Sequence, residues 1–161
     1  MGSNQYGKLG LDSKASFVST PKLVEALSSH KVAEVSCGLN HALCVMHDSG
    51  LVYSWGCGSQ GQLGRPTNSS LPQPILAFVE SGTRIKQVSA GGKHSLMLGE
   101  DGSVYSVGSN EFGQLGVERA EANVINQVKV VKCTQVLCGL VHSQALSSGG
   151  QVFTFGDNQF G

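Results

Sequence analysis

Residues 56–61 read GCGSQG, the glycine spacing of a loop that cradles a pyrophosphate, and they follow an apolar segment, Leu51 to Trp55, with the character of a strand. Such a loop needs a helix behind it whose first amides face the phosphates. The residues that follow, Gln62-Leu63-Gly64-Arg65-Pro66-Thr67-Asn68-Ser69-Ser70, carry no apolar period of 3.6 and are punctuated as a loop. Glu80 stands about 20 residues on, where an acid would meet a ribose. Two other constellations could do chemistry. Cys37 with His41 and Cys138 with His142 share a Cys-x-x-x-His spacing that suits a soft metal ion, and His94-Ser95 and His142-Ser143 set a hydroxyl beside an imidazole. Against the metal, the equivalent of the cysteine near His94 is Ala90, and ligands on separate repeats lie too far apart for one tetrahedral ion. Against the nucleophile, neighbours along a strand point to opposite faces. No paired carboxylates stand out, so bond-making chemistry is not expected.

Self-similarity supplies another reason for the glycines. GCGSQGQLG has relatives at Gly2 (GSNQYGKLG), at Gly108 (GSNEFGQLG) and, cut short, at Gly156 (GDNQFG), with first glycines 54, 52 and 48 residues apart. A second block travels with this glycine mark: VSCGLNHALCVMHDSGLVYSWG from Val35, VSAGGKHSLMLGEDGSVYSVG from Val88 and VLCGLVHSQALSSGGQVFTFG from Val136. The third position of the mark holds Asn4, Gly58, Asn110 and Asn158, and an exchange of Gly for Asn is expected where the backbone needs a positive φ. Only at Gly58 does that exchange create the nucleotide-like spelling.

Between marks each unit reads as four short strands bounded by turn residues: 21–25, 32–37, 41–46 and 51–55, then 74–79, 85–90, 94–98 and 103–107, then 124–130, 133–138, 142–146 and 151–155. Glu100-Asp101-Gly102 suits a tight hairpin between the last two strands of its unit. Four antiparallel strands at a period of about 50 residues predict an all-β fold, a partial β-propeller of three four-stranded blades covering approximately 11–55, 65–107 and 117–155 of one domain, 1–161. Alternating strand direction places the Cys-Gly-x-x-His turns on the same rim as the glycine marks. His41, His94 and His142 are therefore expected to stabilise turns, by bonding to backbone or to the neighbouring mark. Tyr53, Trp55, Tyr105, Phe153 and Phe155 are expected to fill the packing between blades.

These blocks resemble the repeats of the regulator of chromosome condensation family, through the run V-x-x-C/A-G-x-x-H-S/A, then D/G-G-x-V-Y/F-x-W/V/F-G, then G-x-N-x-x-G-Q-L-G. The resemblance extends over residues 2–161 and implies blades of a ring typically of seven, with the glycine, His and Asn positions structural. It also implies a choice of roles, because the founding member is a nucleotide-exchange factor for a small GTPase and a chromatin binder, whereas relatives serve as protein-binding modules. The chain holds three units and lacks a basic tail, so a nucleic-acid role is not expected.

Composition agrees with a scaffold. Twenty-two glycines against 14% charged residues favour short elements and tight turns, and 11 basic residues balance 11 acidic ones without a tract of either sign. The five cysteines without a signal segment are expected to be reduced in an intracellular, cytoplasmic or nuclear protein, and the longest apolar run, Ile75 to Val79, is too short to span a bilayer. Candidate contacts lie where the units differ, Arg65 and Asn68 in RPTNSSL and Glu118, Arg119 and Glu121 in ERAE, polar as a merely solvated loop would also be; the aromatic fifth position of the mark, Tyr6, Phe112 and Phe160, where Gln60 stands in one unit, fits an anchor of the turn first and a rim contact second. The expected function is a non-catalytic scaffold for a protein partner, with guanine-nucleotide exchange on a small GTPase as the alternative. No cofactor is required. Apolar faces at the two ends of the stack are expected to need further blades, self-association or a partner.

Overall fold

Strands form where β-branched, aromatic and aliphatic residues cluster, and they end at glycine turns. In the computed structural model, which describes residues 1–121 and 123–159, one sheet contains β3 (Val32–Cys37), β4 (His41–Met46), β5 (Val52–Gly56) and β6 (Ser69–Pro74) in that order. The next contains β7 (Ile85–Ala90), β8 (His94–Gly99), β9 (Val104–Gly108) and β10 (Asn126–Val128). A third contains β11 (Cys133–Cys138), β12 (His142–Ser147) and β13 (Val152–Gly156), and a short pair, β1 (Gly2–Ser3) with β2 (Phe17–Val18), precedes them all. Every pairing is antiparallel, and equivalent residues hold equivalent registers: His41 opposes Gly56, His94 opposes Gly108 and His142 opposes Gly156.

The grouping of strands differs from the sequence expectation. The strand that follows a glycine mark closes the sheet before it, so the sheets run over 32–74, 85–128 and 133–156, displaced from 11–55, 65–107 and 117–155. The segment expected as a strand over 74–79 is instead the helix α1 (Leu76–Ser81), ended by Gly82 at φ 66°, and 21–25 forms no strand. β6 carries Pro72 and Pro74, tolerable because it is the outer strand and its far edge has no ladder to feed.

Sheet stacking is visible in the burial of the second strands. All six residues of β4 and all six of β8 are buried, so both of their faces are covered, whereas β12 alternates between exposed and buried. One core lies between the first two sheets, where Leu43, Val45 and Val52 meet Ile85, Val88, Met97 and Val107, with Phe78 of α1 set edge-on to Tyr105. A second joins Leu96, Leu98 and Val104 to Val136 and Ala145 of the third sheet. Ala42, Cys44, Met46 and Trp55 face the N-terminal segment, where the Trp55 indole donates to Lys8 O at 3.1 Å. The first strands are tied sideways: Val88 N donates to the Glu34 carboxylate and Ala90 N to Ser36 Oγ, and one sheet later Val136 N donates to Gln87 Oε1 and Cys138 N to Ser89 Oγ. An edge that would otherwise be free to pair with another chain is thus capped by polar side chains of its neighbour.

Candidate functional site

The glycine marks and the histidine turns meet on one rim, as alternating strand direction requires. Cys57 N donates to Asn40 O, Ser109 N to Lys93 O and Asp157 N to Val141 O, one bond per sheet at 2.8 to 3.0 Å. The first glycine of the mark makes this approach possible. Gly56 lies at φ 102°, and a Cβ there would stand 2.5 Å from Asn40 O.

The third position of the mark does not have the positive φ that the Gly/Asn exchange suggests. Asn4 sits at φ −104°, and Gly58, Asn110 and Asn158 also lie outside the left-handed region, which belongs to the first, sixth and ninth positions. Asparagine is there for its amide. Asn110 Oδ1 accepts from Leu115 N at 3.0 Å while its Nδ2 donates to Val117 O at 2.9 Å, and Asn4 clasps Leu9 N, Ser13 O and Ala15 O in the same manner. In the second unit the clasp is reversed: Asn68 Oδ1 accepts from Gly58 N at 2.8 Å, and a Cβ on Gly58 would meet Thr67 O at 2.3 Å. The Arg65 guanidinium folds back onto the carbonyls of Ser54, Leu63 and Gln73 through its two terminal nitrogens, while its Nε is buried without a partner.

The nucleotide-like spelling is therefore filled by its own chain. The amides of Cys57, Gly58, Gln60 and Gly61 donate to Asn40 O, Asn68 Oδ1, Gln62 Oε1 and Gly58 O, and no helix begins until Leu76. None of those four amides is left to face a phosphate.

Two of the three histidines, His41 and His94, have a role that adjacency in sequence concealed. His41 Nε2 lies 2.9 Å from Ser95 Oγ, one sheet on, and the Ser95 hydroxyl donates at 2.8 Å to Gln62 O in the glycine mark. His94, Ser143 and Gln114 repeat the arrangement at 2.9 and 2.7 Å. A hydroxyl has one proton, and a carbonyl can only accept, so the imidazole must donate through Nε2–H and leave Nδ1 bare. Both Nδ1 atoms are buried without a partner. Burial holds the imidazoles of His41 and His94 neutral, down to a pKa of about 4, with the next histidine along the stack adding repulsion. His142 is exposed. This is the wrong sense for a serine nucleophile: the imidazole donates a hydrogen bond to the hydroxyl instead of accepting its proton, the hydroxyl is turned toward a backbone carbonyl, and Ser95 and Ser143 are wholly buried. A metal reading fares no better, since Nε2 of His41 and of His94 is engaged, and among the described residues no three His, Cys, Asp or Glu side chains converge. The five cysteines are unpaired, and burial pushes the Cys44 thiol up to about 11 and Cys138 to about 12.

What the rim leaves uncovered is apolar and local. Tyr6 and Phe112 of the marks are 44% and 45% exposed, and Leu39 and Leu140 of the histidine turns are 55% and 61% exposed. Phe160 lies outside the described residues. Glu118, Arg119 and Glu121 are exposed, as is Asn68, although its Oδ1 is engaged. A cleft of about 400 Å³ separates two successive marks, lined by Gln60, Pro66, Asn110, Glu111 and Asn123 among others. The opposite rim is closed on itself: Arg84 pairs with Glu100 at 3.0 Å, Lys132 with Asp101 at 2.8 Å and His47 with Asp48 at 2.7 Å. Leu39 and Leu140 were missed as candidates because they sit within a recurring motif, and only the x positions of Cys-Gly-x-x-His could have signalled them.

A family model described as the regulator of chromosome condensation (RCC1) repeat matches residues 1–45, 49–98 and 101–146. Over 118 residues the chain is 43% identical to the X-linked retinitis pigmentosa GTPase regulator of Canis lupus familiaris, covering 73% of this chain and 12% of that protein. It is 35% identical over 126 residues to the ultraviolet-B receptor UVR8 of Arabidopsis thaliana, covering 78% and 28%. Among solved structures, human WBSCR16 superposes with a TM-score of 0.80 at 29% identity, over 97% of this chain and 41% of that one. Prp20p of Saccharomyces cerevisiae, described with its binding properties to Gsp1p and histones, superposes at 0.81 with 26% identity, over 98% and 40%. The chain thus spans between 12% and 41% of the length of these four relatives.

Proposed function

Because the chain belongs to the regulator of chromosome condensation repeat family, we propose that it is a non-catalytic β-propeller scaffold whose glycine-mark rim docks a protein partner. At the family level such propellers are interaction scaffolds or GTPase regulators. The observation that carries the rim reading is the contrast within it: the histidine Nε2, serine hydroxyl and turn amide groups of its recurring motifs are bonded within the motifs, while Tyr6, Leu39, Phe112 and Leu140 stay exposed beside them. Asn68, Glu118, Arg119 and Glu121 surround that face as polar contacts; Arg65, bound to three carbonyls, serves the loop instead. The reading calls for no cofactor, and among the described residues no helix is long and apolar enough to cross a membrane.

Guanine-nucleotide exchange is the second reading, favoured by the kinship with a GTPase regulator and with Prp20p. Exchange would require a segment that enters the nucleotide site of the GTPase, and Glu118 to Glu121 is the exposed loop available for it. Release of a fluorescent guanine nucleotide from a panel of small GTPases separates the two. Accelerated release supports exchange. A flat response, with a partner captured by the wild type and lost on Leu39→Ser with Phe112→Ser but not on Arg84→Gln of the opposite rim, supports the scaffold.

A further inference from the structure

The first two complete sheets differ at one place in a way that leaves a second, chemically distinct opening. After the mark, Arg65 in the first sheet corresponds to Val117 in the second, each following the ninth-position glycine, Gly64 or Gly116. Arg65 turns inward and its guanidinium joins three backbone carbonyls, so that region of the first sheet is closed by the chain's own cation. Valine cannot reach as far. In the second sheet a groove of about 500 Å³ stands beside Val117, lined by Gly116, Glu118, Arg119, Gln127 and Lys129. That volume lies within the range of small-ligand sites, about 300 to 1,000 Å³.

The lining decides the ligand. Two basic side chains and one amide line it against a single carboxylate, and neither Arg119 nor Lys129 forms an ion pair among the described residues. On the opposite rim, by contrast, Arg84 and Lys132 are each paired with a carboxylate. Cations left free in a concave site raise the local concentration of anions. A guanidinium fork can hold two oxygens of a tetrahedral anion while an ammonium takes a third and an amide N–H a fourth. A lone carboxylate has only two oxygens to divide among those donors. We propose that the groove between the 117–119 loop and β10 is a phosphate-binding site, built from Arg119, Lys129 and Gln127, with the Glu118 carboxylate in its lining opposing the anion and holding its affinity down. The same chemistry serves a free phosphate ion or a phosphorylated side chain of a partner. The site rests in part on the reading of Glu118 to Glu121 as a contact loop, but it does not involve Tyr6, Leu39, Phe112 or Leu140, so either can fail while the other stands.

The test is a ¹H–¹⁵N titration with inorganic phosphate at pH 7.5, with sodium chloride holding ionic strength constant, followed by a phosphoserine hexapeptide and its serine counterpart. Saturable shifts confined to 116–119 and 126–129, with a Kd on the order of millimolar for the bare ion, support the site. Arg119→Gln combined with Lys129→Gln should weaken binding roughly tenfold or more, and because both side chains are exposed the spectrum should otherwise stay that of the wild type. Glu118→Gln should tighten it severalfold. Tighter binding of the phosphoserine peptide than of the ion and of the serine peptide assigns the phosphate to a partner; tighter binding of the ion assigns it to a free anion. Shifts that match a chloride-only control, or that persist undiminished in the double variant, overturn the proposal.

Discussion

Ser95→Ala isolates what one link between sheets is worth. Its hydroxyl accepts from His41 Nε2 and donates to Gln62 O, and it is fully buried, so no water replaces it. Removing one oxygen strands two buried polar groups, the imidazole N–H on one sheet and the carbonyl in a glycine mark. Each stranded group costs about 1–3 kcal/mol, giving about 2–6 kcal/mol in all. Ser106→Ala is the matched control: that hydroxyl is equally buried but its bond to Leu115 O, at 2.8 Å, stays within one repeat, so only a carbonyl is stranded, at about 1–3 kcal/mol. Urea unfolding at pH 7.5, where His41 is neutral, reads the difference. With a slope of about 1–3 kcal/mol/M, Ser95→Ala should move the midpoint down by about 1–2 M, with the slope unchanged, and Ser106→Ala by about half as much. A Ser95→Ala midpoint no lower than that of Ser106→Ala would refute the idea that His41, Ser95 and Gln62 act as one unit.

Stability should fall with acid in a defined window. His41 and His94 titrate at about 4 in the fold and at 6.5 when unfolded, so between those values the unfolded chain binds more protons. The contribution is complete above pH 6.5, declines as pH falls to about 4, and amounts to about 3 kcal/mol per histidine; desolvated Glu34, whose pKa is raised, opposes it with the reverse sign. Urea midpoints from pH 8 to 4.5 should show this slope, and His94→Gln should lose about half of it. Gly58→Asn, which restores the residue found in the other marks, should destabilise by about 1–3 kcal/mol because its Cβ meets Thr67 O, and wild type and variant alike should fail to retain labelled ATP or NAD; a thermal midpoint equal to wild type would contradict the contact. Asn110→Ala releases Leu115 N and Val117 O and should cost about 1–2 kcal/mol by the same unfolding assay, with amide exchange quickened over 110–117.

Much of the fold was legible because its signals are periodic. The glycine spacing, the Val-rich strands and the Asp101-Gly102 turn gave three strands of each unit nearly in place, and alternating strand direction alone put the histidine turns on the rim of the glycine marks, where Asn40 meets Cys57 and Lys93 meets Ser109. The outer strand was not legible. Ser69 to Pro74 carries two prolines, which argue against a strand until its edge position is known, and Ile75 to Val79 is an apolar run that fits a buried strand as well as the helical turn it joins. The third position of the mark suggests a positive φ because Gly and Asn share a tolerance of it; the observed alternative, an amide clasp at Asn4 and Asn110 and a close approach at Gly58, depends in the second unit on Asn68 and Thr67 of a loop that differs between units. His94 beside Ser95 hid the true pairs, since each residue bonds across a sheet boundary to a partner 49 or 54 residues away.

His41 and His94 join neighbouring sheets through buried hydroxyls, and a long-range ¹H–¹⁵N spectrum of the imidazoles reads that link at the atoms that form it. At pH 6, His41 and His94 should each appear as a single neutral form protonated at Nε2, with bare Nδ1 nitrogens and shifts that do not move until the pH approaches about 4. Imidazoles protonated at Nδ1, exchanging freely between forms, or titrating near 6.5 would contradict it.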